Sequence, residues 1–221
     1  IINQLNEISR SGGQIRIVSN TVLSPTTKLA IGRFIAKYPT TQHIQYDQVS
    51  HYGMLKANEE SFGTAMIPTY DFSKAATIVS IGADFLVSWG ATIENTKGYA
   101  QTREVSESKR EMSRHYQFES ILSMTGANAD YRTPIKPSEQ GAVVVQLYNY
   151  IAQKAGRPAV SGGVDVQHLS KAADELWQNR GKALVVAGAN DRAIQVLVNG
   201  INEMLGSYGT TILPNLPVNY R

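Results

Sequence analysis

The chain has 221 residues and a mass of 24.2 kDa, which is enough for one full-sized domain or two small ones. Hydrophobic residues make up 42% of the sequence and charged residues 18%, which excludes a disordered chain and is low in charge for a globular protein. The net charge of +3 comes from 21 basic and 18 acidic residues scattered along the chain, and this balance argues against a nucleic-acid partner.

Short β-branched runs alternate with helical patterns in the first part of the chain, which is typical of β-α-β units around a parallel sheet. A first strand is predicted at residues 14–18, and a helix with proline in its first turn begins at Ser24. A second strand is predicted at residues 43–46. The glycine- and proline-containing segment 47–71 suits a loop or short helices.

The remaining elements follow the same alternation. Strands are predicted at residues 77–81, 118–124, 182–187 and 210–213, and helices at residues 138–155, 164–180 and 193–205. The charge-rich segment 103–114 is predicted to be a solvent-exposed helix, with Arg103 and Glu107 four residues apart. Together these elements predict an α/β fold with a doubly wound, mostly parallel Rossmann-like sheet, helices on both faces, and a single domain over residues 1–221.

The chain contains no cysteine, which excludes disulfides, thiolate catalysis and iron–sulfur clusters held by this segment. The longest apolar stretch, near residues 183–189, is far shorter than the roughly 20 residues of a transmembrane helix, so we expect no direct membrane insertion. The sequence begins at Ile1 without a signal-peptide pattern. We therefore expect it to be a piece excised from a longer chain.

Ligands of doubly wound sheets bind outside the carboxyl ends of the strands, where helix N-termini present free N–H groups. The predicted strands place the candidate binding positions in four loops, at residues 19–21, 82–84, 126–128 and 188–191. Each loop carries a glycine or a small polar residue, which allows a phosphate or nucleotide to approach the backbone. Tight βα turns need small residues in any case, so a purely structural role stays open.

Sequence motifs for catalysis are missing. No G-x-G, Walker A or G-x-S-x-G pattern occurs, which makes an NAD enzyme, an ATPase or a nucleophile-elbow hydrolase poor hypotheses. The histidines at positions 43, 51, 115 and 168 are too far apart for a local metal pair and are predicted to lie on the surface or in loops. No catalytic or metal-binding residues are identified.

Three stretches carry a resemblance to a known family. They are Tyr-Asp-Phe-Ser-Lys-Ala with Ile-Val-Ser-Ile-Gly-Ala-Asp-Phe-Leu in residues 70–86, Ser-Arg-His-Tyr-Gln-Phe-Glu-Ser with Thr-Gly-Ala-Asn-Ala-Asp-Tyr-Arg in residues 113–132, and Ala-Leu-Val-Val-Ala-Gly-Ala-Asn with Asn-Gly-Ile-Asn-Glu-Met-Leu-Gly in residues 183–206. The chain resembles the central domain of molybdopterin oxidoreductases, most closely the B subunits of bacterial alternative complex III, which are parts of quinol-oxidising respiratory assemblies.

The resemblance implies a site for molybdopterin guanine dinucleotide in catalytic relatives, and this chain matches its loops in part. Gly82-Ala83-Asp84 and Ala129-Asp130 match, whereas Glu119-Ser120-Ile121 replaces an Asp-Pro-Arg segment and Pro137-Ser138-Glu139-Gln140 replaces Pro-Gly-Thr-Asp. The loss of an arginine and the gain of Glu139 both oppose the binding of a dinucleotide anion. If the site is retained, the residues expected to bind the cofactor are Gly82, Ala83, Asp84, Gly126, Asn128, Asp130, Gly188 and Asn190.

These observations favour a non-catalytic scaffold domain without a cofactor of its own. The resemblance implies a parent protein with iron–sulfur clusters elsewhere, partners among its own other domains and the subunits of a membrane-associated respiratory complex, and a location on the periplasmic side of the inner membrane. One alternative is a domain that binds part of a molybdenum bis(guanine dinucleotide) cofactor. Another is a stand-alone nucleotide-binding protein that uses the same loops.

Overall fold

The structure of the chain, a computed structural model, describes residues 1–218 and divides into two compact units, Ile1–Ser50 and His51–Val218. The prediction that a single domain spans residues 1–221 is not tested by this division and stays a prediction.

The first unit is a β-α-β unit preceded by a helix. Its elements are α1 (Ile2–Arg10), β1 (Ile15–Ser19), α2 (Pro25–Lys37) and β2 (Thr41–Gln45). The two strands are parallel, with Ile15 opposite Thr41. The helix α2 begins where the sequence predicts, because the Ser24 side chain accepts a hydrogen bond from the Thr27 N–H and Pro25 occupies the first turn.

The second unit contains six strands and six α-helices among its described residues. In chain order these are α3 (Tyr52–Phe62), β3 (Pro68–Tyr70), β4 (Thr77–Ile81), α4 (Thr92–Arg103), β5 (Arg114–Glu119), α5 (Met124–Ala127), β6 (Tyr131–Pro134), α6 (Gln140–Lys154), α7 (Leu169–Gln178), β7 (Ala183–Ala187), α8 (Arg192–Met204) and β8 (Ile212–Pro217). Short 3₁₀ turns at Phe72–Lys74 and Pro137–Glu139 lie before β4 and α6.

Four strands of this unit form a parallel sheet in the order β6-β5-β4-β7, and β3 and β8 form a separate antiparallel pair. Every residue of the inner strand β4 and of the edge strand β7 is buried, as expected for a sheet covered on both faces. The predicted α/β fold with a Rossmann-like parallel sheet and flanking helices is therefore confirmed.

The two faces of the sheet pack differently. On one face, alternate apolar residues of β4, β5 and β7 pack against α6, α7 and α8 in the main hydrophobic core. On the other face, Phe72, Phe85 and Tyr99 form an aromatic cluster with His115 of β5, with Phe72 and Phe85 stacked at a centroid distance of 4.4 Å. This second face also carries the buried polar side chains of β5.

The outer edge of β7 is closed by side chains rather than by another strand. Asn202 of α8 accepts a hydrogen bond from the Val185 N–H at 3.0 Å and donates one to the Val185 carbonyl at 2.8 Å. Thr211 and Gln195 donate to the carbonyls of Ala183 and Ala187. These bonds satisfy the backbone groups that an edge strand otherwise leaves open to pairing with another chain.

The predictions for β5 and its surroundings were wrong. The strand covers Arg114–Glu119 instead of residues 118–124, because His115, Gln117 and Glu119 find hydrogen-bond partners inside the protein and can be buried. Residues 103–114 do not form a helix, since α4 ends at Arg103 and Arg103 pairs with Asp130 instead of Glu107. His115, predicted at the surface or in a loop, is fully buried.

Other boundaries differ less. The segment 47–71 contains the eleven-residue helix α3 and the short strand β3, where only a loop or short helices are predicted. The helix predicted at residues 164–180 begins later, at Leu169, and the last strand covers Ile212–Pro217 rather than residues 210–213. The strand β6 carries no strong apolar pattern and was not predicted.

Candidate functional site

The carboxyl edge of the four-stranded sheet is the place where a fold of this kind binds ligands, above all at the point where the strand order reverses. Here that point lies between β4 and β7, whose chains leave the sheet at Gly82 and Gly188. The Gly188 N–H donates to the Ile81 carbonyl at 2.9 Å, and a Cβ atom on Gly188 would overlap the Gly82 carbonyl. The crevice is therefore filled by the backbone of the two loops.

The structure also requires glycine at position 82. Its φ angle is +66°, and a Cβ atom there would lie 2.8 Å from the side-chain amide oxygen of Gln140. Gln140 also donates weakly to the Ser120 hydroxyl at 3.4 Å. The Gln140 side chain thus lies over the loops that follow β4 and β5, where a ligand would approach.

Asp84 connects two loops of the edge. Its carboxylate accepts hydrogen bonds from the Thr125 N–H at 3.2 Å and from the Thr125 hydroxyl at 2.6 Å. The neighbouring Ala83 is buried, and its carbonyl accepts a hydrogen bond from the Ser80 hydroxyl at 2.8 Å. Asp84 therefore holds the N-terminus of α5 against the β4 loop.

Glu119 is a buried carboxylate at the end of β5. It accepts hydrogen bonds from the Arg132 Nε at 2.6 Å, the Ser123 hydroxyl at 2.6 Å and the Gln117 amide at 3.1 Å. Burial raises the pKa of Glu119, but the hydrogen bonds from Ser123 and Arg132 outweigh burial and leave the pKa below its usual value. The Glu119 carboxylate therefore places a fixed negative charge at the edge where an anionic ligand would bind.

The glycine at position 126 is required by Glu119. A Cβ atom on Gly126 would overlap the Glu119 carboxylate. The Gly126 N–H is also used, since it donates to the Ser123 hydroxyl at 2.9 Å. Gly126 thus serves the packing of α5 on β5.

A hydrogen-bonded chain continues from Glu119 along the same face of β5. The Gln117 Oε1 lies 3.2 Å from the His115 Nε2, and the His115 Nδ1 lies 3.1 Å from the Tyr99 hydroxyl. Tyr99 donates to the Asn128 carbonyl at 2.8 Å. Burial lowers the pKa of His115 to about 4 and raises the pKa of Tyr99 to about 12, so both side chains are neutral near pH 7.

Asp130 lies at the opposite, amino end of β5. Its carboxylate accepts hydrogen bonds from both terminal nitrogens of Arg103, at 2.7 and 3.1 Å, and from the His115 N–H at 2.8 Å. Burial raises the pKa of Asp130, but the hydrogen bonds from Arg103 and His115 dominate and lower the pKa overall. The structure therefore places Asp130 away from Gly82, Asp84 and Gly188.

The last two candidates have structural partners as well. The Asn190 side chain accepts a hydrogen bond from the Gly53 N–H at 2.7 Å and so satisfies a free donor at the N-terminus of α3. The Asn128 side chain donates to the Met124 carbonyl at 2.9 Å. At the start of α8, the Ile194 N–H is capped by Asp191.

These loops are poorly suited to an anionic cofactor. Residues 82–91, 120–128 and 188–191 contain no lysine or arginine, whereas they include Asp84 and Asp191. Helix N–H groups that could hold a phosphate donate to Asp84, Ser123 and Asp191. The residues present therefore do not fit a guanine-dinucleotide pterin.

The surface around the same loops is apolar. Val87, Ile121, Leu122 and Met124 are between 57% and 78% exposed. Beside them, a cleft of about 540 Å³ between α4 and α5 is lined by Leu86, Thr96, Tyr99, Ala100, Arg103, Glu104, Met124 and Asn128. An exposed apolar cluster of this kind is typical of a surface that packs against another protein.

The buried polar chain of β5 was missed at the sequence level, although it left a signal. His115, Gln117 and Glu119 occupy every second position of the strand, and the positions between them are the aromatic residues Tyr116 and Phe118. Alternation of this kind indicates one polar and one apolar face. Their partners Tyr99 and Arg132 are distant in sequence, which is why the alternation alone did not identify a buried network.

The described residues form neither a metal-binding cluster nor a membrane-spanning helix. Within residues 1–218, no three histidine, aspartate or glutamate side chains lie close enough together to hold a metal ion. No helix of this part of the chain has the length and apolar character needed to cross a membrane.

Comparison with known proteins finds a likeness of fold alone. No protein family and no curated protein matches the sequence. A chain of the formyltransferase/hydrolase complex FhcABCD from Methylorubrum extorquens, solved in complex with methylofuran, has a similar structure, with a TM-score of 0.54 and 12% identity. The match covers 91% of this chain and 54% of that one, so this chain spans about half the length of its structural neighbour.

The comparison corrects the predicted family. The structural neighbour is a chain of a formyltransferase/hydrolase complex, not a molybdopterin oxidoreductase or a subunit of alternative complex III, so the assignment to that family was wrong. The physical reason for the error is that the matching segments, such as Gly82-Ala83-Asp84, are turns and strand ends that the packing of the sheet requires. Of the predicted partners, the comparison supports only a general statement, which is that the structural neighbour is part of a multi-subunit complex.

Proposed function

We propose that this chain is a non-catalytic packing domain of a multi-subunit protein, and that the carboxyl edge of its four-stranded sheet is a protein-docking surface. The observation that carries the proposal is that the polar groups of this edge are used internally while its apolar residues are exposed. Asp84, Glu119 and Asn190 bind neighbouring loops and helices, whereas Ile121 and Leu122 are 78% and 66% exposed.

Two further observations support the proposal. The content of charged residues is low, as expected for a protein whose surface is partly covered by neighbours. The structural neighbour belongs to a complex of several subunits. The iron–sulfur clusters of a parent protein, the respiratory complex and the periplasmic location rested on the corrected family assignment, and they stay predictions from the sequence.

The experiment replaces Ile121 and Leu122 together by asparagine in the tagged full-length protein, expressed in its native host. Burial of each side chain contributes about 1.5–3 kcal/mol, so their replacement should weaken association with partner subunits at least tenfold. The readout is the ratio of co-purifying subunits to tagged chain, together with the mass of the assembly by light scattering.

The matched control is Val160→Asn, which changes an apolar residue that is 41% exposed and lies between α6 and α7. It should leave the assembly intact. An unchanged assembly in the Ile121 and Leu122 variant would contradict the docking surface. Heat released on titration of the wild-type chain with millimolar GDP would instead support a nucleotide site at this edge.

A further inference from the structure

The first unit, Ile1–Ser50, contains a parallel sheet with one uncovered face. Val18 of β1 and Ile44 of β2 are direct neighbours in the register and are 69% and 44% exposed. Arg16 and Gln42, the next pair on this face, are exposed as well. We call the face formed by Arg16, Val18, Gln42 and Ile44 the open face.

The opposite face of the same strands is covered. Ile15, Ile17 and His43 are half-buried and Thr41 is buried. Tyr46, which directly follows β2 and continues the alternation of the open face, is 72% exposed. Both faces of the β1–β2 sheet thus carry apolar side chains, although only one face is covered.

Such an arrangement is unusual for a parallel sheet. Parallel strands occur almost only where helices cover both faces, and a sheet of two strands is marginally stable by itself. The connection between β1 and β2 is the helix α2, so a covering helix already belongs to this unit. On the open face, Val18 and Ile44 stay exposed, so the helix that ordinarily covers a parallel sheet is missing there among the described residues.

Charge indicates what could cover it. Residues 1–50 contain five lysines and arginines but two acidic residues, whereas residues 51–221 contain sixteen of each, so the net positive charge of the chain lies in the first unit. Arg16 on the open face is bonded to the Gln14 side chain at 2.5 Å and to the Ile15 carbonyl at 3.0 Å. It has no carboxylate partner among the described residues.

We propose that the open face binds an amphipathic, acidic helix of a partner polypeptide. Its apolar stripe would cover Val18, Ile44 and Tyr46, and a carboxylate beside the stripe would pair with Arg16. A five-residue strand is about 17 Å long, which corresponds to a helix of about eleven residues. This inference goes beyond the proposed function, because it concerns the first unit and does not depend on the edge near Ile121.

A second copy of the chain is a poorer occupant than an acidic partner. Self-association through the open face would bring together two units that both carry an excess of lysine and arginine. Like charges oppose such an interface, whereas an acidic helix is attracted to it. The two occupants can be separated by experiment.

The test uses the full chain and two fluorescently labelled, hydrocarbon-stapled helical peptides. Both have leucines at positions i, i+3, i+4 and i+7; one has glutamates beside the leucine stripe and the other has lysines. Fluorescence anisotropy should show the glutamate peptide binding at least tenfold more tightly than the lysine peptide. Val18→Asn should weaken binding of the glutamate peptide at least tenfold, because it removes an apolar contact without adding charge, and Arg16→Glu should reverse the preference between the two peptides.

Leu29→Asn is the matched control, since Leu29 is 55% exposed on α2 in the same unit. It should leave the affinity within twofold of wild type. Circular dichroism of each variant separates lost binding from lost folding. The proposal is overturned if neither peptide binds, if both bind equally, if Leu29→Asn weakens binding as much as Val18→Asn, or if the chain forms a dimer that Ile44→Lys dissociates.

Discussion

At the end of β5, the Glu119 side chain determines which residue can occupy position 126. The Glu119 carboxylate occupies the space beside Gly126 and is fixed there by Arg132 and Ser123. A glycine at position 126 is thus a consequence of packing against a buried anion. The same pattern in the sequence also resembles a phosphate-binding loop, because both uses require a residue without a side chain.

A substitution at this glycine tests the packing. Gly126→Ala places a methyl group against the Glu119 carboxylate, so the free energy of unfolding should fall by about 1–3 kcal/mol in urea titrations. Gly32→Ala is the control, because a Cβ there meets no atom within 4 Å and lies inside α2. Alanine favours a helix, so this variant should be as stable as wild type or slightly more stable. Equal effects of the two substitutions would contradict the packing role of Gly126.

His115 gives the stability a pH dependence of known sign. Its pKa is lowered by burial from 6.5 to about 4 in the folded state, so the unfolded state takes up a proton first as the pH falls. The contribution of neutral His115 to the free energy of unfolding is fully present above about pH 6.5. It is lost progressively as the pH falls to about 4. The loss between pH 7 and pH 5 should be about 2 kcal/mol.

The neighbouring charged groups act in a different range. Arg103, Asp130 and Glu119 lie around His115, and the lowered pKa values of the two carboxylates affect stability only below about pH 4.5. His115→Gln should therefore remove most of the slope between pH 7 and pH 5 in urea unfolding. A variant with the wild-type slope would show that another group titrates in this range.

Among the elements, β7 shows how the sheet ends. It is an edge strand by position, yet it is fully buried because α8 and the residues before β8 supply its missing hydrogen bonds. The spacing of Gln195 and Asn202, two helical turns apart, lets one helix reach successive outward-facing residues of the strand. The sheet cannot add a further strand at this edge.

Asn202→Ala tests the closed edge. It leaves the Val185 N–H and carbonyl buried without these partners, so the free energy of unfolding should fall by about 2–4 kcal/mol. Asn215→Ala, at an exposed position of β8, should change it by less than about 0.5 kcal/mol. The measurement is chemical denaturation followed by circular dichroism, and a loss below about 1 kcal/mol for Asn202→Ala would count against the role of this side chain.

Elements with strong local patterns could be predicted from the sequence. The strand at residues 77–81 is rich in β-branched residues, and the strand at residues 183–187 is a continuous apolar run. The cap at Ser24 marks the start of α2. The strand β5 could not be placed in this way. Its polar residues are buried only because Tyr99 and Arg132, which are distant in sequence, provide hydrogen bonds.

The candidate site shows the same limit on a larger scale. The loops at the carboxyl edge could be located, because they follow from the order of strands and helices. Their use could not be predicted, since the partners of Asp84 and Asn190 come from α5 and α3, elements whose positions depend on the whole fold. The family resemblance failed for a related reason, because short matching turns report on the fold more than on the ligand.

The whole molecule combines two units of different character. The larger unit contains the main hydrophobic core and has fifteen basic and sixteen acidic residues. The first unit has two buried residues, Tyr38 and Thr41, and carries the excess positive charge. Each unit exposes apolar residues on a defined surface, near Ile121 in one and at Val18 and Ile44 in the other. Such surfaces are expected of a protein that is completed by partners.

Hydrogen–deuterium exchange of the free chain and of the chain in its native assembly tests most directly whether the carboxyl edge of the four-stranded sheet is a docking surface. Docking should slow exchange at least tenfold in residues 82–91 and 120–128, since their N–H groups would be removed from water, and addition of GDP to the free chain should change nothing there. Exchange in these loops that is the same in the assembly, or that is slowed by GDP alone, would contradict the claim that this edge serves protein packing.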